Sequence, residues 1–230
     1  MVKSHVNDVN PDLFCYDTGL TFGQEVADLV LAQINKDETY FPRRNNYDQG
    51  EDYKSLTRKI GADKTRELIR RQQQVARDYP GLAPIKHRQY FFTPEYHEMM
   101  LNATPDWLKI GPNNPNFMMQ VGDSGDMLPT HMGHKRKCSL FMLLEGDDQE
   151  TRWYRNTDDF EIIDPLRIPD LDKIELVVSV VMQPRRWYLF NHKAWHSVHK
   201  HSSWRRRINI GVDYYDIEAE TLLAMIKSNT

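Results

Sequence analysis

The chain has 230 residues, of which 40% are hydrophobic and 27% charged, and its net charge is −3. This is the composition of an ordinary globular protein, and the length allows a single domain, 1–230, with a sizeable core. The negative charge argues against a general nucleic-acid-binding protein, because a phosphate-binding surface usually makes the whole domain basic. No apolar run is long enough to span a membrane, and the N-terminal residues lack the pattern of a signal peptide, so we expect a cytoplasmic protein.

The first part of the chain, residues 1–112, has the pattern of helices that would support a core and form a lid. One predicted helix starts at residues 21–24, which have the spacing of a capping box. Two more are predicted over 62–79 and 94–109 from their apolar periodicity. The polar, aperiodic stretch 38–61 is predicted to be a loop.

From residue 113 the pattern changes to short strands separated by turns. The predicted strands are 117–121, 137–144, 151–154, 174–182, 187–190, 195–198 and 206–212. A final helix over 216–230 would be capped by Asp216. Strands of this number and spacing indicate a sandwich or jelly-roll barrel. The predicted fold class is therefore α+β, with a jelly-roll core at 113–215 buttressed by N-terminal helices and one C-terminal helix.

Two histidines of the strand region are candidate metal ligands. His131 is expected in a turn just before an apolar strand, and His196 follows 65 residues later, inside a predicted strand. Two neutral imidazoles from separate strands can bind a divalent iron, which in a mononuclear non-haem site normally has a carboxylate ligand as well. The alternative is that His131 is a turn histidine without a metal. The neighbouring histidines are expected to be exposed: His134, His192, His199 and His201.

The arginines before the last predicted strand are candidate anion ligands. In an alternating strand, Arg205 and Arg207 share one face with Asn209, whereas Arg206 shares the other face with Ile208. The apolar row suits packing under helices, so we expect Arg205 and Arg207 to point into the barrel. There, either could pair with a ligand carboxylate in two-pronged fashion. Arg206 remains a third candidate.

These features together resemble the Fe(II)/2-oxoglutarate-dependent oxygenase superfamily, whose members fold as a double-stranded β-helix. The resemblance rests on His131-x-Gly133, on the segment 195–198 around His196 and on the arginines at 205–207, and it covers residues 115–215. It implies iron(II) bound by the two histidines and 2-oxoglutarate bound through its far carboxylate by one of the arginines. The implied reaction hydroxylates a small-molecule or amino-acid-like substrate and converts 2-oxoglutarate to succinate. Further candidates for the cosubstrate wall are Arg136, Tyr188 and Asn191.

Gly133 departs from the commonest pattern of that superfamily, His-x-Asp or His-x-Glu. Aspartyl/asparaginyl β-hydroxylases bind iron with two histidines and leave the third position to water, whereas the halogenase branch uses that space for chloride. Hydroxylation is the preferred reading, with chloride-dependent halogenation at the position beside Gly133 as the alternative. A non-catalytic, cupin-like binding module, in which the same residues form a polar pocket, also stays open.

Two other patterns carry structural expectations. The acidic segment 145–150 is predicted to be a solvated hairpin turn. The aromatic residues of the strand region are expected to fill the barrel core and its rims: Trp153, Tyr154, Trp187, Tyr188, Trp195 and Trp204.

Overall fold

The computed structural model of the chain describes residues 13–43, 57–58, 61–64, 66, 88–110, 115–122, 128–132, 136–146, 149–157, 171–200 and 206–230. The strands in these residues are β1 (Cys15–Asp17), β2 (Arg88–Phe91), β3 (Phe117–Gly122), β4 (Leu128–His131), β5 (Cys138–Glu145), β6 (Gln149–Asn156), β7 (Ile174–Val181), β8 (Trp187–Asn191), β9 (Trp195–Lys200) and β10 (Arg207–Tyr214). The helices are α1 (Gln24–Lys36), α2 (Pro94–Ala103) and α3 (Ala219–Asn229). Short 3₁₀ turns lie at Glu38–Tyr40, Asp106–Leu108 and Leu171–Lys173.

The strands form two antiparallel sheets. One has six strands in the order β1-β8-β5-β10-β3-β2, and the other has four in the order β4-β9-β6-β7. Apolar side chains from both sheets meet in one cluster, in which Leu143 and Phe190 come from the first sheet and Trp153 from the second. The architecture is therefore a β-sandwich.

The outer face of the six-stranded sheet is covered by the three helices. Ile208 and Ile210 of β10 pack there in one cluster with Val30 of α1, Met100 of α2 and Leu222 of α3. Side chains alternate between the two faces of a strand, so the intervening β10 residues belong to the inner face. This confirms the prediction that the apolar row of the last strand packs under helices.

The seven predicted strands coincide with β3 and β5 to β10. In the part expected to be helical, however, β1 and β2 extend the six-stranded sheet at its two edges. The third predicted helix ends at Ala103 rather than at 109, because Pro105 follows two residues later. The helix predicted over 62–79 lies almost entirely outside the described residues. None of the helices in the described residues is long and apolar enough to cross a membrane.

Three local predictions are wrong. Helix α3 is not capped by Asp216: it begins at Ala219, its N-cap is Glu218, and no side chain caps it. Helix α1 has no capping box: its N-cap is Gly23, at φ 70°, and no side chain caps it. The segment 145–150 is not a hairpin turn, because β5 and β6, which it connects, belong to different sheets. Gln149, expected to be solvated, is buried.

Candidate functional site

The two candidate metal ligands lie opposite each other on neighbouring strands. In the antiparallel pair of β4 and β9, the Cα of His131 is the partner of the Cα of His196. His131 is thus the last residue of a strand and not part of a turn, and only its backbone is described. Directly opposed positions of an antiparallel pair belong to the same face of the sheet. The register therefore brings the two positions together, as the metal hypothesis requires.

The His196 ring is buried in the interior of the sandwich. Its Nδ1 lies 2.9 Å from the carbonyl oxygen of Ala194, so Nδ1–H donates to that oxygen and Nε2 becomes the nitrogen whose lone pair can bind a metal. The ring of Phe190 packs edge-on at 4.8 Å between centroids, and the ring of His192 lies 5.5 Å away. These contacts orient the imidazole on the inner face.

Arg207 is a buried cation on the inner face of the other sheet. Its Nη1 donates to Oε1 of Gln149 at 3.5 Å, and Nη2 lies 3.9 Å from the sulfur of Met182. Its guanidinium also lies over the ring of Phe141, at 5.4 Å from the centroid. Burial lowers the pKa of the Arg207 guanidinium to about 10, so it remains charged at neutral pH. Within the described part of the chain no carboxylate pairs with it, and a buried charge without an opposite charge is costly.

Strand β6 contributes a row of polar atoms to the same interior. Gln149, Thr151 and Trp153 alternate along the strand and are fully buried. Their Nε2, Oγ1 and Nε1 atoms have no hydrogen-bond partner among the described residues. All three atoms carry hydrogens and can donate. The row spans about 13 Å of strand and connects Arg207, which contacts Gln149, with His196, which is paired with Trp153.

A wall that combines a buried cation with unpaired donors matches an anion with several acceptor oxygens. Buried polar groups in proteins are nearly always hydrogen-bonded, to protein, water or ligand. The wall offers a guanidinium, an amide N–H, a hydroxyl and an indole N–H, and its apolar neighbours Phe141 and Met182 exclude water. A carboxylate-bearing ligand of low molecular weight fits this chemistry.

Of the other two candidate arginines, Arg206 is described by the structure and Arg205 is not. Arg206 is half-exposed, and it donates to Glu145 at 3.4 Å and to Asn35 of α1. Its guanidinium therefore interacts outside the sandwich interior. Arg205 and Gly133 lie outside the described residues, as do His134 and His201, and of His199 only the backbone is described.

The weaker candidates for the cosubstrate wall all have other contacts. Arg136 donates to Asp213 at 3.3 Å. Tyr188 is buried, which raises the pKa of its hydroxyl, and the hydroxyl oxygen accepts the backbone N–H of Gln183 at 3.0 Å. Asn191 accepts the backbone N–H of Lys193 at 2.9 Å and so closes the turn between β8 and β9.

Several residues of this region were missed at the level of sequence. His192, expected to be exposed, is buried, and its Nε2 lies 2.7 Å from the hydroxyl of Ser139. That hydroxyl donates to Asp213 at 2.5 Å. The signals that could have found Thr151 and Ser139 are modest: each is a polar residue at an inward position of an alternating strand. The predicted burial of Trp153, Trp187 and Trp195 is confirmed.

In the described ranges, no three or more His, Cys, Asp or Glu side chains form a group that could hold a metal ion. No family model matches the chain, and no curated protein is significantly similar to it in sequence.

Three solved structures to which the chain is similar are distant likenesses. The ribosomal oxygenase YcfD of Escherichia coli, in complex with cobalt and 2-oxoglutarate, is 12% identical, with 60% of this chain and 34% of that chain covered and a TM-score of 0.35. The non-heme alpha-ketoglutarate-dependent epimerase SnoN from nogalamycin biosynthesis is 9% identical, with 44% and 48% covered and a TM-score of 0.33. A vicilin from Solanum melongena is 9% identical, with 58% and 29% covered and a TM-score of 0.34. The chain spans less than half the length of each, and TM-scores of this size establish neither a shared fold nor a shared activity.

Proposed function

We propose that this protein is an Fe(II)- and 2-oxoglutarate-dependent oxygenase of the double-stranded β-helix type that hydroxylates a small-molecule or amino-acid-like substrate. His131 and His196 would hold the iron, and Arg207 would bind the far carboxylate of 2-oxoglutarate. The observation that carries the proposal is Arg207: a buried cation, without a carboxylate partner in the described residues, in the sandwich interior that also contains the His196 ring.

The order of the strands supports the proposed topology. From β3 to β10, the strands β3, β5, β8 and β10 belong to one sheet, and β4, β6, β7 and β9 to the other. A chain that alternates between two antiparallel sheets in this way is typical of a jelly roll. In this arrangement the second and seventh of the eight strands are neighbours, which is where the His131–His196 pair lies.

The residues present fit the cosubstrate. 2-Oxoglutarate is a dianion whose oxygens are all acceptors, and the wall around Arg207 offers donors from Gln149 and Thr151 with no partner among the described residues. In the water-poor interior, the attraction between the guanidinium and a carboxylate is much stronger than in water. These contacts favour Arg207 over Arg206 as the ligand of the carboxylate. Arg206 would instead help to pack α1 against the sheet through Asn35.

The residues also fit a two-histidine iron site. His196 presents Nε2 because Ala194 accepts the hydrogen of Nδ1, and His131 is at the opposed backbone position. When bound, iron(II) and 2-oxoglutarate supply the oxidising chemistry: dioxygen and 2-oxoglutarate are consumed, carbon dioxide and succinate are released, and a C–H bond of the substrate becomes C–OH. The chain contributes the orientation of the imidazole, the charge of Arg207 and the apolar side chains that exclude water.

The test is an anaerobic titration of the protein with Fe(II) and 2-oxoglutarate, which monitors the weak visible charge-transfer band of the chelated cosubstrate. We expect a band in the wild type that is lost in His196→Ala and in His131→Ala. In Arg207→Met the band should need a much higher concentration of 2-oxoglutarate. If the wild type shows no band and does not retain iron, the protein is a non-catalytic binding module and the proposal is wrong.

A further inference from the structure

A chain of buried polar contacts lies beside the candidate iron ligands and outside the cosubstrate wall. The carboxylate of Asp213 accepts the hydroxyl of Ser139 at 2.5 Å and Nη1 of Arg136 at 3.3 and 3.5 Å. Ser139 Oγ in turn lies 2.7 Å from Nε2 of His192. Asp213, Ser139 and His192 are buried, and the side chain of Arg136 is 21% exposed.

The direction of these hydrogen bonds follows from the number of protons. Ser139 has one hydroxyl hydrogen, and the carboxylate oxygens of Asp213, which also accept from the guanidinium of Arg136, are acceptors, so the hydroxyl donates to Asp213. The oxygen of Ser139 can then only accept from His192, which requires a hydrogen on Nε2 of His192. Asp213 therefore sets both the tautomer and the orientation of the His192 ring, through Ser139.

This series of hydrogen bonds ends near both candidate ligands: at His192, beside His196 in space, and at Arg136, close to His131 in sequence. The His192 ring lies 5.5 Å from the His196 ring, and both rings pack 4.8 Å from Phe190. At the other end, Arg136 is five residues after His131 in sequence. The backbone tightens the same connection, because Lys137 donates to the carbonyl of Tyr214 and accepts from the N–H of His192.

We propose that Asp213 is a positioning residue shared by the two candidate iron ligands. Through Ser139 it holds His192 against the ring of His196, and through Arg136 it anchors the backbone directly before β5, five residues after His131 in sequence. This inference rests on the proposed function, because it needs a metal at the two histidines. A buried ion pair contributes little net stability, since desolvation offsets the attraction, so a role in orientation is the better explanation of Asp213.

The test measures cobalt(II) affinity and the visible spectrum of the cobalt-loaded protein in Asp213→Asn and Ser139→Ala. Groups that orient a metal ligand typically change metal affinity by about 10–100-fold when they are replaced. We expect weakening in that range for Asp213→Asn, a smaller loss for Ser139→Ala, and a shifted cobalt absorption band in both. Because the two residues act in one chain, the double variant should bind no more weakly than Asp213→Asn alone.

The matched control is Asp28→Asn, which removes the carboxylate of an exposed aspartate on α1 that pairs with Arg185 at 2.6 Å. Its cobalt affinity and spectrum should equal those of the wild type. Thermal unfolding of each metal-free variant shows whether it is folded. If Asp213→Asn does not fold, Ser139→Ala provides the test.

The outcomes separate the inference from the function on which it rests. If the wild type binds cobalt and the folded variants bind it with the same affinity and spectrum, Asp213 has no positioning role and the metal site stands. If the variants are less stable without metal but keep their cobalt affinity, the hydrogen bonds of Asp213 have only a structural role and the inference is overturned. A wild type that does not bind cobalt overturns the proposed function and this inference together.

Discussion

His131 of β4 and His196 of β9 are direct cross-strand partners in an antiparallel pair. They are far apart in sequence, and the pairing of β4 with β9 within one sheet places them opposite each other. On the other side of β9, His196 is paired with Trp153 of β6, so it lies between two neighbouring strands of the same sheet. Pairing with a strand on each side therefore fixes the backbone position of His196.

The paired histidines should act as one unit in metal binding. We expect His131→Ala and His196→Ala each to abolish the rise in melting temperature that Fe(II) or cobalt(II) causes, with no further loss in the double variant, because one missing ligand already destroys a two-ligand site. Thermal unfolding with and without metal measures this effect. A variant of His131 that keeps the full metal-induced shift would remove that residue from the site.

Replacing Arg207 by methionine should have opposite effects on stability and on binding. Loss of a buried charge without a carboxylate partner should raise the free energy of unfolding of the ligand-free protein by about 1–3 kcal/mol. The affinity for 2-oxoglutarate should fall by about 30-fold or more, because a buried charge pair with the ligand is lost. Urea unfolding and calorimetric titration check the two expectations separately.

Arg206→Met is the matched control for that experiment. Arg206 pairs with Glu145 on the outside of the sheet, so its loss should leave the affinity for 2-oxoglutarate unchanged and lower stability by about 0.5 kcal/mol at most. The reverse pattern, with binding lost in Arg206→Met and kept in Arg207→Met, would assign the cosubstrate carboxylate to Arg206.

Thr151→Val should cost binding and not stability. The hydroxyl of Thr151 is buried and has no partner in the described residues. Valine has a methyl group in place of the hydroxyl, so the substitution removes an unsatisfied polar group and keeps the shape of the side chain. We expect a melting temperature equal to or above that of the wild type. The affinity for 2-oxoglutarate should be about 3–10-fold weaker.

Thr104→Val provides the contrast. Thr104 is also buried, but its hydroxyl donates to the carbonyl of Met100 at 2.7 Å. The same substitution should therefore lower the free energy of unfolding by about 1 kcal/mol and leave ligand affinity intact. Equal stability losses at the two threonines would show that the hydroxyl of Thr151 is satisfied in the ligand-free protein.

Gly146→Ala should disturb both the fold and the position of Arg207. Gly146 has φ 104°, and an added Cβ would lie 3.1 Å from the Cα of Arg207 and 3.2 Å from the carbonyl oxygen of Arg206. The destabilisation should exceed the roughly 1–2 kcal/mol that a left-handed conformation alone costs a non-glycine residue, and 2-oxoglutarate should bind more weakly. Gly19→Ala, with φ 69° and open space around the added atom, should show only the conformational cost.

Glu218 should make the stability depend on acid pH. Hydrogen bonds from Lys137 and Lys193 lower the pKa of its carboxyl, so its contribution is complete above the unfolded-state pKa of about 4.3 and is lost as the pH falls further. For this partly exposed group we expect Glu218→Gln to cost about 0.5–1 kcal/mol at pH 7. Urea unfolding should find that the difference from the wild type shrinks as the pH falls through the lowered pKa of Glu218. Glu220→Gln, at an exposed position of α3, controls for the lost charge.

Strand patterns in the sequence were informative where one face of a strand is apolar. In β10, Ile208 and Ile210 alternate with Arg207 and Asn209, and the structure packs the first pair under the helices and directs the second pair inward. Strands without this contrast were missed. β1, β2 and β4 have three or four residues each, and so short a segment has too few alternations to produce a pattern.

The sequence by itself determined which residues are candidates for the site: two histidines, a row of arginines and the alternation that turns Arg207 inward. Only the tertiary structure decided which side chains contact them. Gln149 contacts Arg207 from the opposite sheet, and Asp213 reaches His192 through Ser139 of a different strand. The reason is physical: alternation along a strand specifies the face on which a side chain lies, whereas sheet pairing and sandwich closure specify which side chains share that face and its interior.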